Sequence, residues 1–106
     1  MSSQPELLDT ARLSNKGYSF TLPKRVRIHL NIVNNDRPRG FFEEENGEIS
    51  IGHQGKNILG SAEFTSTFHV ILVKRARNIL KVEKGNVMFF YVKNEKVIIT
   101  AKPISS

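Results

Sequence analysis

The chain of 106 residues contains no cysteine, which removes disulfide staples, cysteine-ligated zinc and thiol catalysis together. Nor does it hold an apolar run near the roughly 18 residues that cross a bilayer. Its polar start, MSSQPELLDT, lacks the basic-then-apolar order of a secretory signal. A cytoplasmic, intracellular protein with no membrane partner is therefore expected. The histidines His29, His53 and His69 have neither neighbouring cysteines nor H-E-x-x-H spacing, so no metal is expected. The serines sit in no G-x-S-x-G elbow. The single glycines of NKG and EKGN make no phosphate-binding loop, and the carboxylates gather mainly at one turn. The sequence predicts neither an enzyme nor a cofactor.

Acid is the scarcer charge. Ten Asp and Glu stand against sixteen Lys and Arg, leaving +6, a surplus that attracts polyanions, with nucleic acid the first to test. Composition is otherwise that of a folded chain, 39% hydrophobic and 25% charged, with no sign of extended disorder. At this length one core is expected, because a unit of about fifty residues buries too little surface to stand comfortably alone.

An internal repeat organises what is there. LPKRVRIHL, residues 22–30, returns as LVKRARNIL, residues 72–80, with Leu22, Lys24, Arg25, Arg27 and Leu30 matched by Leu72, Lys74, Arg75, Arg77 and Leu80. At the same offset of fifty, Tyr18 meets Phe68, Ile32 meets Val82 and Phe41 meets Tyr91. A repeat of this period predicts duplicated supersecondary units, each needing its neighbour to cover an apolar face.

Within each unit the apolar period changes in the same order. TARLS and SAEFT read as a first strand, joined by NKG or ST to the aromatic and β-branched runs YSFTLP and FHVILV. A short helix follows, with Pro23 placed at its opening position. Val26 and Leu30, and likewise Ala76 and Leu80, share a face at i, i+4. Turn residues Asn35, Asp36 and Gly85 redirect the chain. Two strands close each unit: RGFFEE and EISIG about Asn46-Gly47, then NVMFFYV and KVIITA about Asn94-Glu95. The expected bounds are residues 9–52 for the first repeat, 53–60 for a linker and 61–102 for the second, with frayed ends outside them. Fold class is mainly β with two short helices.

These residues resemble a known family. KGYSFTLPKRVRIHLNI is similar to the signature of the AbrB, SpoVT and MazE swapped-hairpin superfamily: a Gly-containing turn, a strand, Ile or Leu then Pro and Lys, and a short helix bearing Arg. The second copy places Val73 where the signature has proline and lacks the turn glycine, yet ILKVEKGNVMFFYV keeps the helix, Gly-containing turn and hydrophobic strand. The resemblance implies an AbrB-like β-barrel of interlocked hairpins. Relatives build it from two subunits, whereas here one chain carries both halves as a single-chain pseudo-dimer, alone or paired again as a homodimer. Ring-forming relatives of the MraZ group carry Asp-x-x-x-Arg at the first turn, and neither copy here does.

The resemblance also implies double-stranded DNA as partner and transcriptional regulation by promoter occupancy. Arg27 and Arg77 match the family's helical Arg and are the first DNA-contact candidates. Lys24, Arg25, Lys74 and Arg75 come next, with Arg12 and Lys16 adding contacts from the first arm, and His69 beside the second. The plainer reading of such Lys-Arg clusters is a solvated face. Two other functions compete: sequence-independent DNA coating, and MazE-like antitoxin action. The latter ranks lower, since only residues 103–106 follow the last expected strand. The seven Phe and two Tyr are read as core rather than as stacking platforms for single-stranded bases. Charge divides unequally, +1 over residues 1–56 and +5 over 57–106. The acidic EEENGE, residues 43–48, is expected to be a solvated hairpin tip turned away from phosphate; a docking site for a basic partner or a guard against edge pairing is the rarer alternative.

Overall fold

The computed structural model describes residues 5–31, 39–52, 58–63 and 67–104. The element order is β1 (Glu6–Arg12), β2 (Ser19–Thr21), α1 (Lys24–His29), β3 (Arg39–Glu45) and β4 (Glu48–Gly52). The same order then repeats as β5 (Ile58–Glu63), β6 (His69–Ile71), α2 (Lys74–Leu80), β7 (Val87–Lys93) and β8 (Lys96–Thr100). The protein is therefore mainly β with two short helices. β1 begins at Glu6, within the expected frayed end, and β5 at Ile58, within the expected linker. Asn35 and Asp36, the turn expected after the first helix, and His53 lie outside the described residues.

Six strands form one antiparallel sheet in the order β1-β7-β8-β4-β3-β5, and β2 pairs with β6 as a separate ribbon. The order reveals an exchange: the first strand of the first half lies on the second half's hairpin, and β5 lies on the hairpin of the first. Both outer strands slip register at a leucine, Leu8 between Leu7 and Asp9, and Leu59 between Gly60 and Ile58. A bulge of this kind twists an edge and discourages further pairing. Among the described residues no pairing joins β1 to β5, so the hydrogen-bonded sheet keeps two edges. Each edge is flanked by a helix, α1 beside β1 and α2 beside β5. Gly60 permits the second approach: a Cβ there would lie 2.9 Å from Val73 Cγ1.

The constant offset of fifty does not survive along the whole chain. Ala11 faces Met88 across β1 and β7, while Ala62 faces Gly40 across β5 and β3. Ala11 therefore corresponds to Ala62, and the hairpins correspond turn to turn, Asn46 with Asn94. Phe41 accordingly matches Phe89 and not Tyr91. The cause is chain length: fewer residues connect α2 to β7 than α1 to β3, and the turn from β1 to β2 is longer than the one from β5 to β6.

One apolar cluster draws on both halves. Leu22 and Leu72, Val26 and Ala76, Phe42 and Phe90, Ile49 and Val97, and Ile51 and Ile99 are all buried in it. Each helix contributes one buried side chain, Val26 or Ala76, with Leu30 and Leu80 partly buried on the same face. Pro23 stands one position earlier than expected, as an extended N-cap with ψ 149°. Val73 holds the same conformation, ψ 150°, so the proline's role is met without a proline ring. Phe20, Phe42, Phe90 and Tyr91 are buried as core. No helix among the described residues is long and apolar enough to cross a membrane.

Candidate nucleic-acid interface

The exchange of strands is repeated in the ribbon and its flanks. Leu22 N donates to Phe68 O at 2.9 Å, and Leu72 N donates to Tyr18 O at 2.7 Å. Each residue ahead of a ribbon strand is thereby tied to the other half. The side chains follow: the Arg27 guanidinium lies 4.2 Å from the centre of the Phe68 ring, and that of Arg77 lies 3.8 Å from Tyr18. Both contacts fall within cation–π range. In each arginine Nε is buried and has no hydrogen-bond partner, so the ring face supplies attraction where an acceptor is missing. The two foremost sequence candidates are therefore half-buried and held over a ring of the opposite repeat.

The remaining candidates are exposed. Lys24 and Arg25 open α1 and Lys74 and Arg75 open α2, while Arg12 ends β1 and Lys16 sits in the following turn. Neither helix has an acidic residue in its first turn or a side-chain cap. Cations there oppose the helix dipole, at a cost of about 0.3–1 kcal/mol each. Helix stability thus gives no reason for placing four of them in these two turns.

Three residues of this surface escape the sequence-based set of candidates. Tyr18 and Phe68 are aromatics that strand patterning assigns to the core, yet each presents a ring face to an arginine. Lys84 Nζ lies 5.9 Å from the Tyr18 ring, carried there by the loop between α2 and β7. That loop is pinned to the first arm by Leu13 N donating to Asn86 O at 2.8 Å and Gly85 N donating to Leu13 O at 3.1 Å. Gly85 has φ +84°, a left-handed conformation that favours glycine. The matched offsets of Tyr18 with Phe68 and Arg27 with Arg77 are the signal that sequence offers. Only the crossing of the two halves turns them into contacts. On the open side of the ribbon, His69 and Ile71 are exposed beside Thr21, and His69 Nδ1 is 3.2 Å from Thr67 Oγ1.

The acidic tip is not simply solvated. Glu48 pairs with Lys93 at 3.2 Å, and Lys96 reaches both Glu45 at 3.1 Å and the buried Glu43 at 3.5 Å. The Glu45 hydrogen bond first, then the charges of Glu43 and Glu45, hold the Lys96 ammonium above its ordinary pKa. The basic partner of this acidic segment is thus the hairpin of the second half. A hollow of about 180 Å³ opens beside Glu43, Glu95 and Lys96, smaller than the roughly 300–1,000 Å³ usual for small-molecule sites. Among the described residues no group of His, Asp and Glu side chains could hold a metal ion. Comparison with protein-family models, with curated proteins and with solved structures found no match to this chain.

Proposed function

We propose that the chain is a double-stranded-DNA-binding transcriptional regulator, built as a single-chain AbrB-like pseudo-dimer of swapped hairpins that acts by occupying promoters. The observation that carries this reading is the pair of crossed stacks, Arg77 on Tyr18 and Arg27 on Phe68, each accompanied by an exposed Lys-Arg pair at a helix start. Repetition matters here, because a duplex offers two half-sites and a pseudo-twofold protein meets them with two like surfaces. The strand exchange of β1 and β5 and the β2–β6 ribbon support the swapped-hairpin architecture, whose barrel would be completed by packing of the ribbon over the sheet. A guanidinium fixed by a ring presents a planar fork with little rotamer entropy left to lose, which suits phosphate or guanine. Its orphaned Nε costs stability, and an anion at the terminal nitrogens would offset that cost.

Lys24, Arg25, Lys74 and Arg75 act on phosphates, which gives affinity and salt dependence without sequence preference. Arg27 and Arg77 supply what selectivity there is. If only the exposed cations reach the duplex, the protein coats DNA without reading it, and their full exposure beside half-buried arginines favours that second reading. Selection of bound sequences from a random duplex library decides between the two. Enrichment of a motif that weakens with Arg27→Ala plus Arg77→Ala, and not with Glu44→Ala, supports regulation. Retention of all sequences alike supports coating, and no retention at low salt overturns both.

A further inference from the structure

The ion pairs between the hairpins have a pattern that one pair alone would not reveal. By the hairpin registers, Glu45 of β3 corresponds to Lys93 of β7, and Glu48 of β4 to Lys96 of β8. Glu48 pairs with Lys93, and Glu45 pairs with Lys96. These are one contact made twice, once in each direction, with acid always from the first half and base always from the second. We infer that the charged residues flanking the two hairpin turns, which reach diagonally across the sheet, form a charge-reversed contact that makes each repeat accept the other repeat and reject a copy of itself.

The argument is one of substitution. If two first repeats were joined in this arrangement, Glu45 would face Glu48 twice, with Glu43 adding further negative charge. Two second repeats would set Lys93 against Lys96 twice. Each pair spans one intervening strand of the sheet; opposite charges held that close attract, and like charges in the same places repel. A surface pair contributes little when present, but the difference between matched and mismatched tips counts both pairs and both signs, which is how charge patterns select partners.

Side-chain volume in the ribbon points the same way. Phe20 is paired directly with Val70, and the two occupy corresponding places in the two halves. A first-repeat pair would bring Phe against Phe at this buried position, and a second-repeat pair Val against Val. The first overfills the site and the second leaves a void, both destabilising. Val26 and Ala76 divide their volume in the same unequal way, and both are fully buried. The partner that this surface fits is therefore the opposite repeat of the same chain.

Charge inversion in the full-length protein tests the inference. Glu45→Lys with Glu48→Lys gives the first hairpin the sign of the second. Its melting temperature is expected to fall by about 5 °C or more at low salt, with much of the loss recovered at high ionic strength. Adding Lys93→Glu and Lys96→Glu to the same chain restores opposite signs at both pairs but leaves Glu43 beside a second acid, so the melting temperature should recover part of the loss and rise above that of the doubly inverted chain. Additive losses in the fourfold variant, or no loss in the first, overturn the inference. Should the doubly inverted chain not fold, Glu45→Gln with Glu48→Gln, alone and combined with Lys93→Gln and Lys96→Gln, provides the same cycle. Coupling between the two neutral pairs supports charge matching, and strict additivity refutes it.

Discussion

At one end of the β2–β6 ribbon Arg77 lies over Tyr18, with Lys84 nearby; at the other Arg27 lies over Phe68. Phe68 has φ +61°, a left-handed conformation that a bulky residue adopts only under constraint, whereas Tyr18 does not. Among the described residues, Arg12, Lys16 and Lys84 belong to the Tyr18 end. Counted along the chain, the C-terminal half is basic and the N-terminal half nearly neutral; but the arms cross, and Arg12 and Lys16 of the first half share their end of the ribbon with Arg77 and Lys84 of the other. Charge counted along the chain therefore does not give the charge at either end of the ribbon.

The sharpest way to break this comparison is to reverse charge at one helix start at a time. Lys74→Glu with Arg75→Glu, and separately Lys24→Glu with Arg25→Glu, should each lower affinity for duplex DNA about 100-fold or more and flatten its dependence on salt. Thermal stability should hold or rise slightly in both, because acid replaces base where the helix dipole prefers acid. Mobility shifts over a salt series and thermal melts on the same samples separate the two effects. A loss of stability that tracks the loss of binding would return these cations to a structural role.

A smaller effect distinguishes the two stacks. Methionine has nearly the reach of arginine, packs on an aromatic ring, and carries no N–H to leave unpaired. Arg77→Met and Arg27→Met should therefore change the urea midpoint by no more than about 1 kcal/mol equivalent, the lost cation–π attraction being offset by removal of a buried orphan. DNA affinity should drop by roughly 10-fold or more for each. Arg77→Met should cost more, since Lys84 and Lys16 strengthen the field at its end. Equal losses at both ends would show that the additional lysines do not reach the duplex.

Much of this architecture is legible in the sequence. Strand and helix periods are local, so the repeated strand-strand-helix-strand-strand order and the buried faces of Val26 and Ala76 can be read from neighbouring residues. The placing of β1 on β7 cannot, because antiparallel pairing over more than seventy positions leaves no periodic trace; Leu7 meets Tyr91 for reasons found only in the assembled core. That missing link hides the rest. Arg27 reads as a surface cation from its place beside Val26, and only the crossing of the halves sets Phe68 beneath it. The acidic tip misleads for a related reason: Lys93 and Lys96 are distant along the chain from Glu45 and Glu48, and the register that matches them differs by two positions from the one that exposes the repeat.

The two hairpin turns carry the smallest comparison. Asn46 and Gly47 have φ +53° and +80°, and Asn94 and Glu95 have φ +52° and +67°, so both turns need two left-handed residues, as tight hairpins with the favoured twist do. Asparagine tolerates that region and glycine is at ease in it, but glutamate is not, and a left-handed residue with a Cβ costs about 1 kcal/mol or more. Glu95 also accepts, through its carbonyl oxygen, a 3.4 Å contact from His29 Nε2, which a glycine backbone keeps. Glu95→Gly should therefore raise stability by about 0.5–1 kcal/mol, the relief of strain exceeding the added chain entropy of glycine in the unfolded state. Gly47→Glu in the first turn should lower it by a similar amount, measured by urea denaturation with unchanged m-values. If Glu95→Gly is neutral or destabilising, the glutamate side chain holds the second turn by a contact of its own, and the two hairpins differ in how their turns are stabilised as well as in the sign of their charge.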